Sequence, residues 1–215
     1  MKFDSKFRFI YCQLADILSN RKMSSKTQKL SLLITQYLEK KGQLLICVSG
    51  LSGAGKTYNS RLLAKLINLP HFDQDDFYNA SYKMPKFQFS NGLEQPNWDC
   101  KEAINLDYMN KIIDKYISKG VIFSGFACRD NWFEHKIDLQ IHLSINEETC
   151  YTRRQEQKKD DPIDGKVIVK ELVYPFYQQT LKYSQIDYTI DANIKSDETL
   201  DLIIDKMIIF FHNQI

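Results

Sequence analysis

Residues 50–57 have the residue types and the spacing that phosphate binding requires. They read Gly-Leu-Ser-Gly-Ala-Gly-Lys-Thr, which matches the pattern G-x-x-x-x-G-K-[ST]. Glycines leave backbone N–H groups open to phosphate oxygens, Lys56 can reach the β- and γ-phosphates, and the Thr57 hydroxyl can ligate Mg²⁺. The predicted nucleotide-binding residues of this loop are Gly50, Ser52, Gly53, Ala54, Gly55, Lys56 and Thr57.

The flanking residues predict a strand before this loop and a helix after it. Residues 44–48 are apolar and partly β-branched, as in a buried strand, and residues 58–67 have leucine and isoleucine at helical spacing. A helix that begins at the end of the loop presents its free N–H groups and the positive end of its dipole to the phosphates. The three elements together therefore predict an anion site.

Strand and helix patterns alternate from this loop to the C-terminus. Strands are predicted at residues 69–72, 121–123, 139–143 and 186–190. Helices are predicted at residues 106–117, 147–159, 167–183 and 197–211, and Pro175 is expected to interrupt the third of them. This alternation predicts an α/β fold, with a parallel β-sheet covered by helices on both faces.

Two further segments lie outside this alternation. The polar residues 79–98 are predicted to form a long loop, and such loops are usually functional. Two helical stripes before Gly42 predict an N-terminal helical extension over residues 1–42, followed by one domain over residues 43–215.

The bulk composition restricts the class of protein. The chain of 215 residues is 43% hydrophobic and 26% charged, with a formal net charge of +2. This balance gives no support for a nucleic-acid or membrane surface, and no apolar run approaches the ~20 residues of a membrane span. Because its five scattered cysteines contain no C-x-x-C pair, we expect reduced thiols. We expect a cytoplasmic monomer or homodimer that acts on a small molecule.

Two classes of nucleotide-binding protein fit this sequence poorly. A GTPase needs N-K-x-D, and the nearest string, at residues 110–114, has the wrong spacing and lies in a predicted helix. An ATPase motor normally shows an apolar strand that ends in Asp or Asp-Glu, and none is evident. The loop is followed instead by carboxylates at residues 73–76, a long polar segment and Asn97-Trp98-Asp99.

This arrangement resembles the uridine kinase-like family of small-molecule kinases and, within it, the nicotinamide riboside kinases. The resemblance covers residues 43–215. Its strings are residues 50–57, 74–78, 97–103, 125–126, 145–148 with 153–154, and 173–177. It implies a P-loop NTPase fold with ATP and Mg²⁺ as cofactors. It also implies phosphorylation of the 5′-hydroxyl of a ribonucleoside, with nicotinamide riboside expected first and uridine or cytidine next.

The resemblance also implies roles for the carboxylates after the loop. Asp75 would be the base that accepts the proton of the acceptor hydroxyl, and with Thr57 it would face Mg²⁺. Lys56 and Arg153 would be the other catalytic residues. Asp76 would lie beside Asp75, on the substrate or metal side. The alternative for Asp73, Asp75 and Asp76 is a solvated turn.

Trp98 and Asp99 would bind the nucleoside. The Trp98 ring would stack on the base, and the Asp99 carboxylate would accept hydrogen bonds from both ribose hydroxyls. Each residue has an alternative role. Trp98 could pack against the loop, and Asp99 could cap a helix, because Glu102 stands at its capping-box position.

Arg153 and Arg154 would belong to a lid at about residues 150–165 that closes over the phosphates. Arg153 matches the lid better and is assigned to catalysis, whereas Arg154 is assigned to nucleotide binding. For Lys158 and Lys159, which follow them, a solvated helix face is the better expectation.

Three features depart from the family. An acidic residue that helps to organise Mg²⁺ usually precedes the Gly-Phe pair, whereas this chain has Ser124 there. Residues 161–165 have a different spacing to Tyr174-Pro175, and the N-terminal extension is additional. Ser124 leaves an alternative function open, a regulatory or scaffolding module that binds nucleotide without turnover and binds a partner through its N-terminal helices.

Overall fold

The computed structural model describes residues 24–79, 83, 85–98, 100–126, 128–157 and 165–215. Several predicted features therefore lie outside the described residues. They are Asp99, Lys158, Lys159, residues 1–23 of the N-terminal extension, and residues 158–164 of the lid.

Five parallel strands form the central sheet, in the order β2-β5-β1-β6-β7. The strands are β1 (Leu45–Gly50), β2 (His71–Asp73), β5 (Val121–Gly125), β6 (Leu139–Ser144) and β7 (Tyr188–Asp191). Every residue of β1 and β5 is buried, as expected where helices cover both faces of a parallel sheet. Because β1 is central, the loop that follows it lies in the middle of the carboxyl edge of the sheet.

Helices pack on both faces of this sheet. They are α1 (Ser25–Lys41), α2 (Lys56–Ile67), α3 (Leu106–Tyr116), α4 (Glu147–Gln157), α5 (Gly165–Ile168), α6 (Tyr174–Leu181) and α7 (Ser196–Gln214). Alternate residues of β1 belong to two separate hydrophobic clusters, Ile46 and Val48 to one and Leu45 and Cys47 to the other. The α/β prediction is confirmed.

Helix α1 belongs to the larger of these clusters. Ser24 accepts a hydrogen bond from the Thr27 N–H at its start, and Gly42 ends it with φ 76°. Its buried residues pack with α2 and α7; they include Leu30, Leu33, Ile34 and Tyr37. The domain boundary at residue 42 stays a prediction. None of the helices in the described ranges combines the length and apolar character of a membrane span.

The predicted long loop contains an antiparallel hairpin, which was not predicted from the sequence. Strand β3 (Lys86–Gln88) pairs with β4 (Glu94–Pro96). Phe87 packs edge-on against Phe89, which is buried in the larger cluster. Most residues of this segment are polar, and two aromatic side chains anchor it. The sequence therefore shows no strand pattern here.

The helix predicted to be interrupted at Pro175 has its irregular turn before the proline instead. The chain runs from α5 through a π-helical turn, Val169–Val173, into α6, which has Pro175 in its first turn. A proline has no N–H and clashes with the carbonyl four residues before it. The wider π turn accommodates this ring without ending the helix.

Candidate active site

The loop of residues 50–57 connects the carboxyl end of β1 to the first turn of α2. The glycines of this loop are required by geometry. A Cβ on Gly50 would lie 2.4 Å from the Leu143 carbonyl oxygen, and Gly55 has φ 80° at the N-cap of α2. The loop backbone and the N-terminus of α2 therefore converge on one place, which suits a phosphate group.

The Lys56 side chain is held within the loop. Its ammonium donates a hydrogen bond to the Leu51 carbonyl oxygen at 3.2 Å. Burial lowers the pKa of Lys56, and the charges of Asp73 and Asp75 oppose this shift. The lysine thus lies between the phosphate-binding loop and the carboxylates that follow β2.

Asp73, the last residue of β2, is the hydrogen-bonding centre of the site. Its Oδ2 accepts from Thr57 Oγ1 at 2.5 Å and from Ser124 Oγ at 2.8 Å, and its Oδ1 accepts from the Asp75 N–H at 3.1 Å. The residue is only 5% exposed. One buried carboxylate therefore connects the loop, strand β5 and the turn that presents Asp75.

A second hydrogen bond continues this network away from the loop. His71 Nε2 lies 2.9 Å from Ser124 Oγ. Burial lowers the pKa of His71 to about 4, so its ring is neutral near pH 7. Because the Ser124 proton is given to Asp73, the neutral His71 ring donates to Ser124. Every hydroxyl in the network is oriented toward the Asp73 carboxylate.

Asp75 and Asp76 follow Asp73 in a 3₁₀ turn, Gln74–Phe77. Desolvation of its carboxylate, followed by the Asp73 charge, raises the pKa of Asp75, while Lys56 and a hydrogen bond from Tyr78 oppose this. Asp76 accepts from the Asp73 N–H at 3.1 Å and completes a capping box. Asp75 is thus placed beside Lys56, whereas the hydrogen bond of Asp76 is to the turn itself.

The two arginines of α4 contact the loop through separate hydrogen bonds. Arg153 donates to the Gly53 carbonyl at 3.1 Å and to the Ile194 carbonyl at 3.5 Å. Arg154 donates to Ser52 Oγ at 2.8 Å. Both predicted arginines therefore lie at the phosphate-binding loop.

Arg153 also borders a cavity of about 490 Å³ between the loop and the segment after β7. Its walls include Gly55, Asn59, Asn193, Lys195 and Thr199. Residues 192–199 were not predicted to belong to the site, because they match no motif. Only their position in the sequence could have indicated this role. They follow the last strand, so they lie at the same edge of the sheet as the loop.

The predicted nucleoside-binding residues are only partly described. Trp98 is 44% exposed, and its ring meets the Tyr78 ring edge-on with centroids 5.2 Å apart. Tyr78 is also the hydrogen-bond partner of Asp75. The structure therefore brings Trp98, through Tyr78, to the turn that presents Asp75, and it does not describe Asp99.

The donor set fits Mg²⁺. Thr57 offers a hydroxyl oxygen, and Asp73 and Asp75 offer carboxylate oxygens at the carboxyl edge of the sheet. Mg²⁺ prefers such hard oxygen ligands, and it is usually held by one or two carboxylates together with substrate phosphates and waters.

Comparisons with known proteins identify the family and the fold of this chain. A family model described as "AAA domain" matches residues 46–172, which include the loop, the carboxylates after β2 and both arginines. Uridine kinase from Schizosaccharomyces pombe (strain 972 / ATCC 24843) is 27% identical over 199 residues, covering 77% of this chain and 43% of that protein. The chain thus spans less than half the length of this relative.

Solved kinase structures share the fold. Shikimate kinase from Acinetobacter baumannii, in complex with shikimate, matches with a TM-score of 0.51 at 16% identity, over 83% of this chain and 99% of that chain. A putative fructose transport system kinase from Silicibacter sp. TM1040 matches with a TM-score of 0.50 at 16% identity, over 75% and 98%. The α/β fold is therefore that of the P-loop NTPases.

Proposed function

The chain belongs to the AAA domain family, and from this premise we propose that it is an ATP- and Mg²⁺-dependent kinase of a small-molecule alcohol. The proposed acceptor is the 5′-hydroxyl of a ribonucleoside, with nicotinamide riboside as the first candidate and uridine or cytidine as the second. The likeness to a uridine kinase supports a nucleoside acceptor, and the strings shared with nicotinamide riboside kinases support the first candidate.

The observation that supports this proposal most strongly is the link from the loop to Asp75. Thr57 on the loop and the backbone N–H of Asp75 both donate to the Asp73 carboxylate. A base candidate is thereby held close to the phosphate-binding loop. Phosphoryl transfer depends on such positioning and on charge stabilisation more than on covalent chemistry.

The reaction would be an in-line displacement. The 5′-oxygen of the acceptor forms a bond to the γ-phosphorus as the bond from that phosphorus to the β,γ-bridging oxygen breaks. ADP keeps the electron pair of the broken bond. Asp75 accepts the hydroxyl proton, and the raised pKa of its carboxyl brings it closer to neutral pH, which suits a general base.

Cationic side chains from two elements would stabilise the transferred charge. Lys56 at the start of α2 and the two arginines of α4 lie at the loop, with Arg153 toward the cavity and Arg154 toward Ser52. Mg²⁺, held by Thr57 and the carboxylates, would neutralise charge on the β- and γ-phosphates. The cavity beside Arg153 would take the nucleoside of ATP.

ADP release measured across a panel of nucleosides tests this proposal. The panel contains nicotinamide riboside, uridine, cytidine, adenosine and guanosine, and a 5′-deoxy analogue of each responding nucleoside is the matched control. We expect stimulation by at least one nucleoside and none by its 5′-deoxy analogue, because the analogue lacks the accepting hydroxyl. Stimulation by the analogue would contradict transfer to the 5′-hydroxyl.

The second candidate function is a nucleotide-binding module without turnover. Ser124 favours it, because a hydroxyl lacks the charge of the acidic residue found there in the resembling kinases. ATP binding without stimulation by any nucleoside of the panel would favour the module over the kinase.

A further inference from the structure

We propose that Asp73 on β2 supplies the metal-side carboxylate that Ser124 on β5 lacks. Compared with the resembling kinases, the carboxylate would thus stand on the neighbouring strand. There it would position Mg²⁺ and its waters beside Thr57. This inference rests on the proposed function, because the metal would arrive with the phosphates of ATP.

The register of the sheet supports the placement of this carboxylate on β2 instead of β5. Asp73 and Ser124 are paired positions of the parallel strands β2 and β5, and their side chains are joined by a 2.8 Å hydrogen bond. A carboxylate at either position thus lies at the same level of the carboxyl edge, one strand apart. No apolar strand ending in Asp is evident from the sequence, whereas in the structure β2 ends at Asp73.

The directions of the hydrogen bonds leave the site prepared for a cation. Thr57 and Ser124 both give their protons to Asp73 Oδ2. The lone pairs of the Thr57 oxygen therefore remain available to a metal, in the way that P-loop enzymes use this hydroxyl together with an acidic residue at a strand end.

The charge of Asp73 gives an independent argument. The residue is 5% exposed, and none of the three ion pairs found among the described residues includes it. A buried charge is costly unless it is paired or coordinates a metal. The Lys56 ammonium faces the charges of both Asp73 and Asp75, so one cation is opposed by two carboxylates. A divalent cation beside Thr57 would balance the charge that remains.

Nucleotide affinity, measured by calorimetry with and without Mg²⁺, separates this role from a purely structural one. The ratio of the two ATP dissociation constants reports the contribution of the metal without any need for turnover. In Asp73→Asn, which keeps the size of the side chain, we expect this ratio to fall about 10- to 100-fold, as for other residues that orient metal ligands. We expect the loss to appear in the dissociation constant measured with Mg²⁺, and metal-free ATP binding not to weaken, because the variant removes a negative charge near the phosphate site.

The matched control is Asp107→Asn, which removes one carboxylate from the exposed first turn of α3. We expect it to keep the wild-type ratio. Equal thermal unfolding of the two variants shows that both are folded, and comparison at equal fractions folded keeps the test valid if Asp73→Asn is less stable.

A double variant, Asp73→Ser with Ser124→Asp, returns the carboxylate to β5. Because the two positions are paired, we expect the Mg²⁺ ratio to recover at least about tenfold over that of Asp73→Asn. This recovery distinguishes a charge requirement from a requirement for the Asp73 side chain itself.

A wild-type ratio in Asp73→Asn would overturn the inference, as would wild-type ATP binding that does not respond to Mg²⁺. Absence of ATP binding by the wild-type protein would instead overturn the proposed function. The two failures are therefore distinguishable.

Discussion

The site has two sides that are built differently. The phosphate side (residues 50–57, Asp73, Arg153 and Arg154) is connected by hydrogen bonds between the loop, β2, β5 and α4. The acceptor side (Asp75, Tyr78, Trp98 and the β3–β4 hairpin) is more open, since Trp98 is 44% exposed and the hairpin strands are largely exposed.

In the proposed kinase, this difference would give the two sides separate roles. Dipoles and charges that are already oriented before the reaction stabilise best the charge that develops in the transition state. The hydrogen-bonded groups of the phosphate side would act in this way. An open acceptor side can close around its substrate when that substrate binds. Changes to the phosphate side should therefore reduce turnover greatly, whereas changes to the acceptor side should mainly raise the KM of the acceptor.

The largest effect on the phosphate side is expected for Lys56→Met. The variant removes the ammonium that lies between the loop and the carboxylates, so we expect turnover to fall about 10³-fold or more. Steady-state kinetics measures this loss. Lys65→Met, on an exposed position of the same helix, is the control and should retain activity. A loss in Lys56→Met of less than about tenfold would contradict the assigned role.

Arg153→Ala should have the next largest effect. Arg153 joins the loop to the segment after β7, while Arg154 contacts Ser52 alone among its described hydrogen bonds. We expect kcat/KM for ATP to fall about 100-fold in Arg153→Ala and about tenfold in Arg154→Ala. Arg153→Lys should recover only part of this loss, because an ammonium cannot form both hydrogen bonds of the planar guanidinium. The reverse order of the two arginines would contradict this reading of α4.

Trp98→Ala tests the acceptor side. If the ring stacks on the base, its removal should raise the KM of the nucleoside about tenfold, because stacking on one base contributes ~1–3 kcal/mol. The KM of ATP and kcat should change by no more than about twofold, which kinetics with each substrate varied in turn will show. Trp98→Phe, which keeps an aromatic face, should stay near wild type. Equal changes in both KM values would show that Trp98 supports the fold instead.

The smallest effect on turnover at neutral pH is expected for His142→Gln. His142, 3% exposed, lies under the phosphate side, where Nδ1 is 3.0 Å from Ser49 Oγ and Nε2 is 2.8 Å from the Tyr177 hydroxyl. Burial, together with the charge of Lys56, lowers the pKa of His142 from 6.5 to about 4. The His142 ring is therefore neutral in the folded protein near pH 7.

The consequence is a loss of stability in acid. Between pH 6.5 and about 4 the unfolded chain binds a proton at His142 that the folded chain does not, so stability falls as the pH falls. From pH 7 to pH 5 this amounts to about 2 kcal/mol of unfolding free energy for His142. Urea unfolding at both pH values should show a loss smaller by about this amount in His142→Gln. An unchanged loss would show that His142 is not the titrating group.

The sequence predicts the phosphate side better than the acceptor side for a physical reason. Glycine conformation, a lysine and a threonine hydroxyl act within residues 50–57, so their spacing along the chain is also their spacing in the site. Alternating strands and helices likewise predict the parallel sheet. The role of Asp73 was not predicted, because it depends on Ser124 of β5, which lies 51 residues away in the sequence.

Features formed by contacts between distant segments were the ones missed. The β3–β4 hairpin is anchored by Phe89, which reaches the main hydrophobic cluster, and the cavity beside Arg153 is formed by the loop, α4 and the segment after β7. Neither has a local pattern in the sequence. The roles of Asp75, Trp98 and Arg153 stay predictions, because they depend on how ATP and the nucleoside bind between the two sides.

The most direct test of the proposed kinase activity is product analysis by ³¹P NMR in wild-type protein and in Asp75→Asn, with Mg²⁺, ATP and the responding nucleoside. We predict equal amounts of ADP and nucleoside 5′-monophosphate from the wild type. In Asp75→Asn we predict turnover reduced about 10²- to 10⁴-fold, with ATP affinity kept within about twofold. Full turnover in Asp75→Asn would contradict its role as the base. ADP without phosphorylated nucleoside from the wild type would contradict the kinase itself.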